Sequence, residues 1–91
     1  MNARDGPSRG DSTLGTNRKP SWEIRCRLAN NLKRFRRLRG YSQGRLAART
    51  GLQRNYVSNV EQGTVNITLA NLEALAGGLE CGEEELLMRN R

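Results

Sequence analysis

The spacing Ser42-Gln43-x-x-Leu46-Ala47-x-x-x-Gly51-Leu52-x-x-x-x-Val57-x-x-Val60 constrains this chain more than any other feature. Ser42 is a residue of the kind that caps a helix, and Gln43 to Thr50 holds no proline or aromatic residue, so a short helix follows it. Gly44 weakens that helix by about 1 kcal/mol relative to alanine. Gly51 supplies the left-handed conformation a tight exit needs. A second short helix then runs from about Arg54 to Gln62 and is stopped by Gly63, with Val57 and Val60 facing inward at i, i+3. Ala47 falls where the two helices cross, so a larger side chain there would push them apart. Leu46, Leu52, Val57 and Val60 point into the small core that sets their angle, which leaves one face of the later helix exposed and rigid.

The flanks read as further helices. Ser21 is the expected N-cap of a helix beginning at Trp22 or Glu23, with Leu28, Leu32, Phe35 and Leu38 along one face and Gly40 as its stop. After a loop over Thr64–Ile67, Thr68 caps a helix whose apolar stripe is Leu69, Leu72, Leu75, Ala76 and Leu79, with a last turn made frail by Gly77-Gly78. Glu83, Glu84 and Glu85 suit the positive end of a fifth short helix carrying Leu86, Leu87 and Met88. No useful period-2 run appears, so the fold class is all-α with five helices, a single compact domain over 21–91. Residues 1–20, rich in Gly, Ser, Asn, Asp and Arg, cannot repay the entropy of ordering and read as a flexible tail.

Charge is divided along the chain. Arg25 to Arg54 contains ten basic residues and no acid, whereas Glu61 to Glu85 contains six acids and no base, within a net charge of +7. One half of the domain therefore carries positive potential and suits a polyanion; the other carries negative potential, and the asymmetry orients the molecule as it approaches. Cys26 and Cys81 lack metal-ligand spacing and read as small buried residues in a reducing compartment. With no apolar leader and no stretch of 18 apolar residues, a cytoplasmic location without membrane contact is expected. There is no histidine, no Gly-rich phosphate loop and no recognisable pair of catalytic carboxylates, so neither an enzyme nor a cofactor or small-molecule site is expected.

With Arg36, Gly40-Tyr41-Ser42-Gln43, Leu46-Ala47, Gly51-Leu52, Tyr56-Val57-Ser58, Val60-Glu61-Gln62-Gly63, Asn66 and Leu69 through Leu79 in register, the chain resembles the Xre-type helix-turn-helix regulators, which include the repressor and Cro proteins of lambdoid phages. The resemblance implies a lambda-repressor-like domain that binds double-stranded DNA. It places base reading on Arg54, Asn55, Ser58 and Asn59, residue types that can grip guanine O6/N7 or adenine N6/N7 in the major groove. It places backbone contacts on Ser42, Gln43, Gln53, Tyr56, Gln62 and Thr64. Arg36 and Glu61 match the family's structural ion pair. The loop Thr64-Val65-Asn66-Ile67 departs from the family pattern, in which basic residues often stand there.

Arg45 and Arg49 read equally as a source of nonspecific attraction or as a solvated surface, and Arg9, Arg18 and Lys19 as an arm along the DNA or as a plain basic tail. So small a module buries little surface, so a homodimer on a palindromic operator is expected, with Leu79, Leu86, Leu87 and Met88 as interface candidates, although closure of the core is the other reading and the favoured one for Leu79 and Leu86. Polymerase is the expected target of regulation, by blocking or recruitment. An antitoxin that also binds a toxin, and a protein-interaction adaptor docking through the acidic half, are the alternative readings.

Overall fold

The computed structural model describes residues 21–89, and its element order is α1 (Ser21–Leu38), α2 (Gln43–Thr50), α3 (Arg54–Glu61), α4 (Leu69–Leu79) and α5 (Glu83–Leu86). All described secondary structure is helical, as the periodicity predicts. The tail and its basic residues Arg9, Arg18 and Lys19 lie outside the described residues.

Local chemistry explains most boundaries. The Ser42 hydroxyl accepts from the Arg45 amide at 3.0 Å and the Thr68 hydroxyl from the Asn71 amide at 3.1 Å, so both predicted caps satisfy an otherwise orphaned donor. Gly51 takes φ +76° and its amide closes on the Ala47 carbonyl at 2.9 Å, which turns the chain between α2 and α3 without the strain a side chain would bring. α1 already includes Ser21, whose hydroxyl accepts from Arg25 rather than capping the helix. α5 ends earlier than expected, at Leu86. The carbonyls that follow are taken instead by α1: Asn31 Nδ2 donates to the Leu86 and Met88 oxygens at 2.9 and 2.7 Å, and Arg27 Nη1 to the Leu87 oxygen at 3.3 Å.

Leu28 and Leu32 of α1, Leu46 of α2, Val57 and Val60 of α3, Leu72, Leu75 and Leu79 of α4 and Leu86 of α5 meet in one buried core. Each removes apolar surface from water for about 1.5–3 kcal/mol. Leu79 and Leu86, expected as interface candidates, are fully buried here and close the monomer's own core, so they have no surface to offer a second chain.

Three further expectations are corrected. Leu38 is 73% exposed, because six residues after Leu32 it has rotated about 240° round the helix. Leu69 is 84% exposed: it is the first residue of α4 and stands past the helices that cover the rest of the stripe. Cys26 is exposed, six residues before Leu32 and therefore off the buried face, and Cys81 is only half-buried. Burial, helped by the Glu85 carboxylate and opposed by Arg39, still holds the Cys81 thiol above its ordinary pKa. Both thiols are free, and no helix among the described residues is long and apolar enough to cross a membrane.

The glycine pair in α4 shows why a glycine can sit in a helix. A Cβ on Gly78 would lie 2.5 Å from Thr50 Cγ2 and 3.3 Å from Leu46 Cδ1, so its bare backbone is what allows α2 to approach α4. Arg49 Nε fastens the contact by donating to the Gly78 carbonyl at 2.8 Å. Gly77 is exposed and a Cβ there meets nothing within 4 Å. The two substitutions therefore have opposite signs. Gly77→Ala is expected to stabilise by about 0.5–1 kcal/mol through helix propensity. Gly78→Ala gains the same propensity but overpacks the contact, at a cost of about 1–3 kcal/mol. Thermal melts should order Gly77→Ala above the native chain and Gly78→Ala below it; the reverse order would refute the tight α2–α4 contact.

Candidate nucleic-acid interface

α3 is held from behind by a polar cluster as well as by the core. Glu61, its last residue, has a side chain only 3% exposed, opposite an Arg36 side chain that is 12% exposed. Arg36 Nε lies 2.5 Å from Glu61 Oε2 and Nη2 lies 3.1 Å from Oε1, a two-pronged fork that fits a planar carboxylate. Gln43 Nε2 donates a third bond to Oε1 at 3.0 Å, and Arg36 Nη1 reaches the Tyr41 carbonyl at 2.8 Å. The Arg36–Glu61 pair thus ties α1, the turn before α2, the first residue of α2 and the end of α3 into a single frame. The three donors also keep the charge of Glu61 from facing an approaching anion.

With Val57, Val60 and Glu61 turned inward, helical rotation places Asn55, Ser58, Asn59 and Gln62 on the opposite side of α3. Arg54, Asn55, Asn59 and Gln62 are exposed and Ser58 is half-exposed. Asn55, Ser58 and Asn59 therefore share one outward surface, whereas Arg54, the first residue of α3, is exposed on the side that faces α2. The Arg54 side chain lies beside Gly44, where an added Cβ would stand 3.7 Å from Arg54 Cδ. Gln62 Nε2 lies 3.5 Å from Ser58 Oγ, which extends the polar surface to the end of the helix.

The predicted backbone-contact residues are placed less uniformly. Ser42 stands at the start of α2 with its hydroxyl occupied as a cap. Gln43 has its amide nitrogen committed to Glu61. Gln53, the residue before α3, is exposed and its side chain caps nothing. Tyr56 is half-buried against the core, and its hydroxyl accepts from Asn71 Nδ2 at 2.9 Å, so it bridges α3 to α4. Thr64 is exposed, with both its amide and its hydroxyl donated to the Asn59 carbonyl, at 3.2 and 3.1 Å.

Arg45 and Arg49 both lie over the Tyr41 ring, at 5.5 and 4.9 Å from its centroid. Arg49 is in addition bonded to Gly78 and lies 3.4 Å from Glu80 Oε2.

Sequence reasoning missed the Gln43–Glu61 bond, the Asn31 clasp and the role of Arg25. Arg25 Nε donates to the Gly63 carbonyl at 3.1 Å and Nη1 to Asn66 Oδ1 at 3.0 Å, pinning the turn after α3 to α1. A signal for the last was available: Arg25 and Arg36 are separated by 36 − 25 = 11 positions, about three helical turns, and so share a stripe.

A family model described as Helix-turn-helix matches residues 32–86. A hypothetical transcription factor of Neisseria meningitidis serogroup B is 42% identical over 66 residues, 72% of this chain and 62% of that protein. The chain thus spans somewhat under two thirds of that relative. Control protein C.SmaI of Serratia marcescens is 37% identical over 67 residues, 74% of this chain and 80% of that protein. Among solved structures, the restriction-modification controller protein C.AhdI from Aeromonas hydrophila superimposes with a TM-score of 0.67 at 37% identity, over 68% of this chain and 94% of that one.

Proposed function

The chain belongs to the helix-turn-helix family, and from that premise we propose that it is a transcriptional regulator that binds duplex DNA in a sequence-specific manner. One observation carries the reading: the Asn55, Ser58, Asn59 surface of α3 faces solvent, with exposed Arg54 at the start of the helix, while its opposite side is locked by core and carboxylate. A short helix held in this way fits the major groove, where each base pair displays a distinct pattern of donors and acceptors. Arg54 is suited to guanine O6/N7 and Asn55 or Asn59 to adenine N6/N7.

Ser42, Gln43, Gln53, Gln62 and Thr64 border that surface and set its register on the phosphates, with Tyr56 supporting α3 from the α4 side. No chemical step is involved. The bound protein acts in the cytoplasm by blocking or recruiting polymerase.

The functional unit is a homodimer on a two-fold site, since one module of this size covers only a half-site. Of the expected interface residues, Met88 is exposed and Leu87 half-buried. Leu87 lines a shallow groove of about 190 Å³ together with Ile24, Leu28, Ile67, Leu69 and Leu72 and the polar residues Arg25 and Asn66. Similarity to two control proteins favours a restriction-modification controller over an antitoxin.

The reading is tested by titrating labelled duplex DNA across a salt series. The slope of log K against log salt is expected to be about −0.9 for each phosphate neutralised. Absence of duplex binding in dilute buffer would refute it.

A further inference from the structure

The loop after α3 has no basic residue of its own, yet a guanidinium stands against it. Arg25, in the second turn of α1, donates from Nε to the Gly63 carbonyl and from Nη1 to Asn66 Oδ1, and Ser21 Oγ accepts from the same Nη1 at 2.9 Å. All three acceptors are neutral, so the full positive charge remains where α3 ends. Arg25 has no carboxylate partner among the described residues, and its Nη2 has no acceptor there. Other arginines of the domain are spent differently: Arg36 is matched by Glu61, and Arg39 and Arg49 both lean on Glu80. The Gly63 carbonyl that Arg25 holds belongs to the residue directly after Gln62, the last exposed position of the α3 surface.

We propose that Arg25 is a DNA phosphate contact, supplying from α1 the cation that the loop lacks. This rests on the duplex-DNA reading given above. Nε and Nη1 are both engaged, and Nη2, which lies between them, is the nitrogen left for a phosphate oxygen bordering the groove that α3 enters. Because the guanidinium is already held by Gly63 and Asn66, less side-chain freedom remains to be lost on binding than for a free surface arginine. A phosphate gripped here fixes how deeply the end of α3 sits, without reading sequence.

The test is the salt dependence of binding to a random-sequence duplex by the full chain and by Arg25→Gln and Arg25→Lys. Arg25→Gln keeps a hydrogen-bond donor but removes the charge, so its log–log slope should be shallower by about 0.9 per bound protomer, with affinity lowered on every sequence alike. Arg25→Lys keeps the charge and should keep the native slope. The folded fraction of each variant, read by circular dichroism at every salt concentration, corrects the slope for any partial unfolding. A native slope in Arg25→Gln would overturn the proposal, as would an equal loss of slope in Arg25→Lys, which would make loop geometry the cause. A native chain that ignores duplex DNA refutes the DNA reading itself; salt-dependent native binding with an unaltered Arg25→Gln slope refutes only the phosphate contact.

Discussion

Replacing Arg36 by Ala is expected to lower the stability of the domain by about 3–5 kcal/mol, the cost of leaving one partner of a buried ion pair without the other. The Glu61 carboxylate is almost wholly enclosed and takes two of its three donors from that guanidinium. After the change only Gln43 Nε2 remains, and a single neutral donor does not replace the hydration the carboxylate has lost. Each kcal/mol corresponds to about 4–8 °C in Tm for a domain of 60–100 residues, so a melt resolves the effect easily. Arg36→Lys retains the charge without the fork and should fall between the native chain and Arg36→Ala. A loss under about 1 kcal/mol for Arg36→Ala, the value for an exposed pair, would contradict the central placement of Glu61.

The second large effect is on binding and leaves the fold alone. Arg54→Ala and Asn59→Ala should each weaken binding to the preferred duplex by about 1–3 kcal/mol, and together by about 2–6 kcal/mol if the two are independent. Both side chains are exposed and neither is engaged by the core, so stability should stay within about 0.5 kcal/mol of the native chain. On an unrelated duplex Asn59→Ala should bind as the native protein does, since a neutral side chain adds nothing to phosphate attraction. Arg54→Ala should lose only the share due to one charge. Anisotropy titrations on matched specific and scrambled duplexes measure both. Equal losses on the two duplexes would show that these residues touch backbone alone.

The features readable from the sequence are those whose cause is local. Ser42 and Thr68 cap their helices because a hydroxyl in that position finds an amide three residues on, and Gly51 turns the chain because it tolerates positive φ. The inward row of Val57, Val60 and Glu61, and hence the outward row of Asn55, Ser58 and Asn59, follows from a 3.6-residue period once α3 is placed.

What could not be read depends on neighbours distant in sequence. Leu69 looks like a core residue in one dimension but stands at the very start of α4, and Leu38 keeps the i, i+3 spacing from Phe35 yet has rotated off the face that Leu32 buries. Leu79 and Leu86 look equally suited to core or interface until α1, α4 and α5 are assembled, and then both are enclosed. Gly78 reads as a weak point in a helix and is instead the place where α2 can come close. The charge division was visible early, but which arginines remain available to an anion was not. That depends on pairings such as Arg36–Glu61 and Arg49–Glu80, which only the fold brings together.

Base reading by α3 is tested most directly by recovery of preferred sites from a pool of random duplex DNA. Run in parallel with the native chain, Arg54→Ala and Asn59→Ala, the selection should yield a two-fold motif for the native protein. Each variant should yield a motif relaxed at the position its missing side chain reads. Identical motifs from all three proteins would contradict the assignment of that face.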